Sequence, residues 1–228
     1  MKKYLLLVLI PMLVVGCGKK HPVRLYVDPS IKEGSIEKIA VFPFASSLHR
    51  TDDPDEVAPR TMDRLFRAEL DTRRDYKFMS PASVNYALQG EGLAGDAERF
   101  VDEWRKFQRA DTGFLTRLAQ ALQVDAVLIG VVDLWQQDEV DYRENAAPTT
   151  YVGATVTILS TSDGSILFQA SDEDYLEGAR TETTDRTVSR TAAGSVRRDP
   201  GAKVYKAPEP KEVAIRVVKA LVSSLPVR

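Results

Sequence analysis

The sequence predicts an α/β domain in which a β-sheet of about five strands is flanked by helices. Apolar runs at residues 36–44 and 124–132 are typical of buried strands. Alternating runs at residues 151–160 and 166–170 enclose the turn sequence Ser-Asp-Gly-Ser at residues 162–165, and this arrangement predicts a β-hairpin. Segments with apolar residues on one helical face lie between several of these strands, as an α/β fold requires.

The remaining elements follow from residue spacing and from capping signals. Residues 76–79 are a candidate for a short fifth strand. Ser80 and Pro81 provide an N-cap and a first-turn proline for the helix that follows, and Asp111 provides an N-cap for another helix. Helices are predicted at residues 58–70, 81–90, 97–108, 112–122 and 209–225.

The amino terminus has the organisation of a secretory signal. Lys2 and Lys3 precede an apolar run at residues 4–15, and Gly16 and Cys17 follow it. The run is too short for a transmembrane helix, which needs about 20 apolar residues. The ending Val-Val-Gly-Cys resembles the lipobox of bacterial lipoproteins, in which the cysteine thiolate accepts diacylglycerol before cleavage. We therefore expect cleavage before Cys17 and attachment of this residue, the only cysteine of the chain, to membrane lipid.

Three segments are expected along the chain. Residues 1–16 are the expected signal peptide, residues 17–35 the lipidated cysteine and a tether, and residues 36–228 a single α/β domain. Gly18 stands where some lipoproteins carry aspartate, and this resembles lipoproteins that are passed on to the outer membrane, so we expect a periplasm-facing anchor there. Residues 172–210 are rich in Thr, Ser and charge, and they are predicted to form a long polar loop within the domain.

The charge balance argues against nucleic acid as a partner. Cleavage before Cys17 removes Lys2 and Lys3 from the 31 basic residues and none of the 33 acidic ones, which leaves a formal net charge of −4. A near-neutral balance provides no electrostatic footprint for nucleic acid.

His21 and His49 are the only histidines, and no His, Cys and carboxylate grouping has the spacing of zinc ligands. We expect neither a metal nor a cofactor.

Two patterns that resemble catalytic or nucleotide-binding motifs have simpler explanations. Four acidic residues at 52–56 suggest a carboxylate acid/base pair, but acids just before a helix usually stabilise its amino terminus through the helix dipole. Gly90, Gly92 and Gly95 have G-x-G-x-x-G spacing, yet they follow a predicted helix, so Gly90 is better explained as its C-terminal cap. We expect a protein that is not an enzyme. A serine–lysine or carboxylate enzyme is a further interpretation, ranked below the two non-catalytic ones given at the end of this section.

Three segments together resemble domains similar to the amino-terminal domain of TolB. Residues 39–44 (IAVFPF) look like the opening strand of these domains, residues 115–132 like their helix–strand signature, and residues 155–169 like their hairpin. This group includes the curli-secretion channel CsgG and the lipoprotein activator of penicillin-binding proteins. The resemblance implies a mixed sheet and a domain used for binding and assembly rather than for catalysis.

The favoured hypothesis is a non-catalytic accessory lipoprotein that binds an unidentified protein of the cell envelope. The alternative is a homo-oligomer, in which the chain is a subunit of a CsgG-like secretion channel or ring at the outer membrane. Aromatic residues are enriched at protein interfaces, and basic residues exceed acidic ones at residues 186–206. The residues predicted to contact a partner are Trp135, Tyr142, Tyr151, Arg186, Arg190, Arg197 and Arg198.

Overall fold

A computed structural model describes residues 22–29, 31, 36–141, 146–179, 188–190, 196–198 and 204–227. The strands are β1 (Arg24–Val27), β2 (Lys38–Val41), β3 (Ala45–Ser46), β4 (Lys77–Met79), β5 (Ala126–Asp138), β6 (Val140–Asp141), β7 (Thr149–Ser160), β8 (Ile166–Glu177), β9 (Val188–Arg190), β10 (Val196–Arg198) and β11 (Val204–Tyr205). The helices are α1 (Val57–Leu70), α2 (Pro81–Gly90), α3 (Ala94–Phe107), α4 (Thr112–Leu122) and α5 (Pro210–Ser224).

Seven of the strands form one mixed sheet. Its order is β1-β8-β7-β5-β2-β4, and β3 pairs with a later part of β5. Strand β2 runs parallel to β4 and β5, whereas β7 is antiparallel to β5 and β8, and β1 is antiparallel to β8. The prediction of a mixed sheet flanked by helices is confirmed. The sheet has seven strands rather than about five because β1 is largely exposed and β3 has only two residues, so neither produces an apolar pattern.

Helices pack on both faces of the sheet and create two apolar layers. On one face, α1 and α5 bury Met62, Phe66 and Val217 against the strands. On the other face, α2, α3 and α4 bury side chains such as Phe100 and Phe114 against β2 and β5. No helix in the described part of the chain combines the length and the hydropathy that crossing a bilayer requires.

The helix boundaries follow from local capping. The Ser80 hydroxyl accepts a hydrogen bond from the Ser83 amide at 3.2 Å, and the Asp111 carboxylate accepts one from the Phe114 amide at 3.0 Å, as the sequence predicts. The end of α2 differs from the prediction. Gly90 is still helical, and the left-handed residue is Gly92, with φ of 69°, because the chain turns only there to bring the Leu93 amide to the Leu88 carbonyl.

Strands β5, β7 and β8 continue into segments that the sequence indicates as polar loops. The register pairs Asp138 of β5 with Thr149, and Thr149 with Glu177 of β8. The prediction of a loop from residue 172 is therefore wrong for residues 172–177, because backbone pairing with β7 holds these charged residues in the sheet. Strands β9, β10 and β11 also lie within the predicted loop, and the other residues between 180 and 203 lie outside the described residues.

Strand β1 lies in the segment predicted to be a tether. It pairs with β8 from Arg24 opposite Ser171 to Val27 opposite Phe168. The predicted domain start at residue 36 is therefore wrong. An edge strand buries little, and Leu25 is 54% exposed, so the sequence carries no alternation that would reveal this strand.

Candidate functional site

A cleft of about 420 Å³ lies beyond the carboxyl end of β2, between α1, α2 and α3, and is called the helix cleft. In α/β sheets, ligands are typically bound beyond the carboxyl ends of the parallel strands. Apolar side chains that line the cleft include those of Phe42, Phe44, Pro59, Pro81, Val84, Leu88 and Val101. Polar side chains that line it are Glu56, Asn85, Glu98, Asp102 and Arg105.

Two phenylalanines form the floor of the helix cleft where the chain leaves β2. Phe42 packs against Phe100 and Phe114, with ring centroids 6.2 and 6.5 Å away. Phe44 packs edge-on against Phe66 on the other face of the sheet, at 5.2 Å. Because both rings are buried and held by other aromatic rings, the floor is rigid and apolar.

Space for Phe44 exists only because residue 130 is glycine. The Phe44 ring lies directly over Gly130 of β5, and a Cβ added there would be 2.4 Å from two ring carbons. The carboxylate of Asp63 accepts a hydrogen bond from the Phe44 amide at 3.4 Å, and burial raises the pKa of this carboxyl. Gly130 therefore allows Phe44 to take its place in the floor of the cleft, although Gly130 itself does not line the cleft.

The first turn of α1 forms another part of the rim. Asp53 is buried and its two carboxylate oxygens accept hydrogen bonds from the amides of Val57 and Ala58 at 2.8 and 2.9 Å. Of the acidic cluster at residues 52–56, Asp53 thus stabilises the helix terminus, as the sequence predicts for this cluster. Glu56 follows in a left-handed conformation, with φ of 51°, and lines the cleft.

Helix α3 contributes an ion-pair network to the opposite rim. Arg105 donates a hydrogen bond to the Ser46 carbonyl at 2.7 Å and forms an ion pair with Asp102. Lys106 also contacts Asp102, at 2.6 Å, and its hydrogen bond is the main reason that the pKa of Asp102 lies below its ordinary value. Glu98 has no ion-pair partner among the described residues.

A second surface is the face of β7 and β8 that carries Tyr151 and Tyr175, and it is called the tyrosine face. The two tyrosines are opposite each other in the sheet, with ring centroids 6.0 Å apart. Nearby, the Asp133 carboxylate accepts hydrogen bonds from Thr155 at 2.6 Å and from Ser47 at 3.3 Å. Burial raises the pKa of Asp133 despite these bonds.

The structure separates two of the residues predicted to contact a partner. Trp135 is opposite Val152 in the register and packs against the core between the sheet and its α1–α5 layer, whereas Tyr151 is opposite Gln136. Successive residues of a strand point to opposite faces, so Trp135 and Tyr151 do not share a surface. Whether Trp135 or Tyr151 contacts a partner stays a prediction.

The other predicted residues are described only in part or not at all. Cys17, Tyr142 and Arg186 lie outside the described residues. Arg190 lies in β9 and Arg197 and Arg198 lie in β10, in a two-stranded antiparallel ladder whose backbone alone is described. Their role in contacting a partner stays a prediction.

Sequence reasoning missed the helix cleft. Glu98, Val101, Asp102 and Arg105 have the spacing of one helical face, and this pattern indicates an exposed polar stripe beside the buried face of α3. It does not show which other elements face the stripe. Among the described residues, no three His, Cys, Asp or Glu side chains come together as a metal site.

No family model and no curated protein matches the chain. Among solved structures, lipoprotein GNA1162 from Neisseria meningitidis is 19% identical, with a TM-score of 0.45, over 64% of this chain and 88% of that one. The PelC dodecamer from Paraburkholderia phytofirmans is 16% identical, with a TM-score of 0.42, over 90% and 98%. The LpoB C-terminal domain from Salmonella enterica is 13% identical, with a TM-score of 0.32, over 62% and 83%. With TM-scores below 0.5, these similarities assign neither a family nor a function.

Proposed function

We propose that the chain is a non-catalytic accessory lipoprotein, anchored to the outer membrane and facing the periplasm, which binds a protein of the cell envelope through the helix cleft. The observation that carries this proposal is the cleft itself. Its volume of about 420 Å³ lies within the range of roughly 300–1,000 Å³ that is usual for ligand sites. An apolar floor with a few charged groups at the rim suits recognition of a protruding side chain.

The proposed anchor would keep the domain close to the membrane. The signal sequence ends at a lipobox-like Cys17, and β1 begins at Arg24. Seven residues can span at most about 25 Å when fully extended. A tether that continued to residue 35 would span about 60 Å when fully extended, so the shorter span would hold the start of β1 closer to the bilayer.

Binding fits the chemistry of the helix cleft better than catalysis does. Arg105 and Asp102 are engaged with each other, so neither is poised to exchange a proton. The Ser46 hydroxyl accepts a hydrogen bond from the Leu48 amide at 3.2 Å, and no basic side chain among the described lining residues contacts that hydroxyl. A nucleophilic serine requires a base within hydrogen-bond reach.

Photo-crosslinking in the native envelope tests this function. Asn85 is exposed and lines the cleft, so p-benzoylphenylalanine at this position should capture one discrete partner. The same residue at Tyr86, which is 82% exposed on α2 and is not among the lining residues, is the matched control. Cys17→Ala should release the chain from the membrane fraction and weaken the crosslink. Equal crosslinking at both positions, or none at either, would contradict the proposal.

A second candidate function is a ring or channel subunit at the outer membrane. It is favoured by the outer edge of β1, where Leu25 and Tyr26 are 54% and 49% exposed, because an uncovered edge strand can pair with another chain. Size measurement of the detergent-extracted protein separates the two functions. A uniform monomer counts against the ring, whereas a closed oligomer of fixed size favours it.

A further inference from the structure

We infer that the helix cleft recognises an apolar group beside a cation, as presented by a partner segment in which a bulky apolar side chain adjoins lysine or arginine. This inference rests on the proposed function, because it names the chemistry of what the cleft binds. Two independent properties of the cleft support it: the depth of its apolar floor and the excess of carboxylates at its rim.

The apolar part of the occupant follows from the floor. Phe42, Phe44, Val84 and Leu88 are each at most 7% exposed, so packing in the core holds these walls in place. A bulky apolar side chain that enters would exchange contact with water for contact with these walls, and this burial of apolar surface favours binding. The cleft is large enough for one aromatic or branched aliphatic side chain and part of its neighbours.

The cationic part follows from the rim. Glu56, Glu98 and Asp102 line the cleft, and Arg105 is the cation among its lining residues. Asp102 is compensated by ion pairs with Arg105 and Lys106, so the excess negative charge of the rim comes from Glu56 and Glu98. The Arg105 guanidinium is already engaged by Asp102 and by the Ser46 carbonyl. The side-chain carboxylates of Glu56 and Glu98 have no hydrogen-bond or ion-pair partner among the described residues. Glu56 immediately precedes α1, and Glu98 lies on α3.

Helix amino termini near the cleft do not reverse this charge preference. Helices α1, α2 and α3 all contribute first-turn residues to the lining, and helix amino termini attract anions. At α1, however, the Asp53 carboxylate already occupies the free amides of Val57 and Ala58. At α2, the Ser80 hydroxyl occupies the Ser83 amide, and α3 carries Asp96 in its first turn. The partial positive charges are therefore compensated from within the chain.

The backbone at Glu56 holds one of the free carboxylates at the rim. The Glu56 amide donates to the Asp53 carbonyl at 3.2 Å, and the Glu56 carbonyl accepts from the Arg60 side chain at 3.0 Å. These two bonds keep a non-glycine residue in the left-handed conformation, which is disfavoured for such residues. The rim thus presents the base of this side chain in a defined position before any ligand arrives.

Three small probes of one shape but different charge test the inference. The ¹⁵N-labelled, lipid-anchored chain in detergent micelles is titrated with phenethylamine, 2-phenylethanol and 3-phenylpropionate, and amide shifts are followed by NMR. Phenethylamine should shift the amides of Leu88 and Val101 and bind about three- to fivefold more tightly than 2-phenylethanol, the scale of a partly exposed ion pair. 3-Phenylpropionate should bind most weakly, and added salt should reduce the differences.

Matched variants locate the charge effect. Glu98→Gln should reduce the preference for phenethylamine, whereas Glu103→Gln should leave it unchanged, because Glu103 lies on the same helix outside the cleft and pairs with Arg109. Retained dispersion of the amide spectrum verifies that each variant is folded. Equal binding of the alcohol and the amine overturns the cationic preference, as does tighter binding of the carboxylate. Absence of shifts at cleft residues with every probe also overturns the inference.

Failure of this inference is distinguishable from failure of the proposed function. If Asn85 crosslinks to a partner but the probes show no charge preference, only the ligand chemistry is wrong. If the probes bind as expected but no partner is captured in the envelope, the protein-binding function is wrong while the chemistry of the cleft stands.

Discussion

Substitution of Gly130 by alanine should distort the floor of the helix cleft. An added Cβ would lie 2.4 Å from the Cε1 and Cζ atoms of Phe44 and 2.6 Å from its Cδ1 atom. Carbon atoms in contact are normally 3.5–4.0 Å apart, so the ring must move by about 1 Å or more. That movement is opposed by Phe66, whose ring packs against Phe44, and by the burial of Phe44 itself.

The expected cost is about 3 kcal/mol. Overpacking of a core typically costs about 1–3 kcal/mol, and complete loss of a buried phenylalanine side chain costs about 3–5 kcal/mol, which sets the upper bound. A loss of 3 kcal/mol lowers the folding equilibrium constant on the order of a hundredfold. Urea unfolding followed by far-ultraviolet circular dichroism measures this change as a lower midpoint with an unchanged slope.

Two further variants make the prediction specific. Gly95→Ala lies in α3 with nothing within 4 Å of the added Cβ, so it should stabilise the chain by about 0.5 kcal/mol. Phe44→Leu combined with Gly130→Ala should cost less than the sum of the two single changes, because the smaller side chain relieves the overlap. A Gly130→Ala variant as stable as the parent, or strictly additive costs, would refute the reasoning.

Two other changes test interactions elsewhere in the fold. Arg73 pairs with Asp75 and donates to the carbonyls of Val222, Leu225 and Pro226 at 3.0–3.2 Å, so Arg73→Gln should cost about 3 kcal/mol in urea unfolding. Arg73→Lys should recover less than half of this loss, because an ammonium group cannot reproduce the forked contacts; full recovery would contradict the role of the guanidinium fork. Burial raises the pKa of Asp133 in the folded state, so the folded chain holds this proton more tightly than the unfolded chain. The free energy of unfolding should therefore decline as pH rises from about 4 through the raised pKa, and Asp133→Asn should flatten that decline; parallel profiles for the two proteins would show that the carboxyl is not responsible.

The sequence determined those parts of the fold that depend on short-range patterns. The helix that begins at Asp111 and the hairpin around Gly164 were predicted because capping and turn residues act on the backbone within a few positions. The central part of β5 was predicted because its residues are buried on both faces and read as one apolar run. The lipidation of Cys17 is also a sequence inference and stays a prediction.

Long-range pairing decided what the sequence did not reveal. Residues 172–177 look like a loop because four of the six side chains are charged, but the backbone of β7 pairs with them whatever those side chains are. Residues 24–27 look like a tether because an edge strand buries little apolar surface. In each segment only one apolar side chain, Val27 or Leu176, packs against the core, and a single apolar residue produces no pattern that predicts a strand.

The candidate site, too, could be found only in the tertiary structure, because it is formed by residues that are distant in sequence. The sequence alone determined that α3 has a polar stripe and that acids precede α1, since both are properties of neighbouring residues. Only the tertiary structure decided that Glu56 and Glu98 face one apolar floor, because the first turns of α1, α2 and α3 meet beyond β2 through contacts between residues distant in sequence. A cleft is the space between elements, and its shape depends on how they pack rather than on the pattern within any one of them.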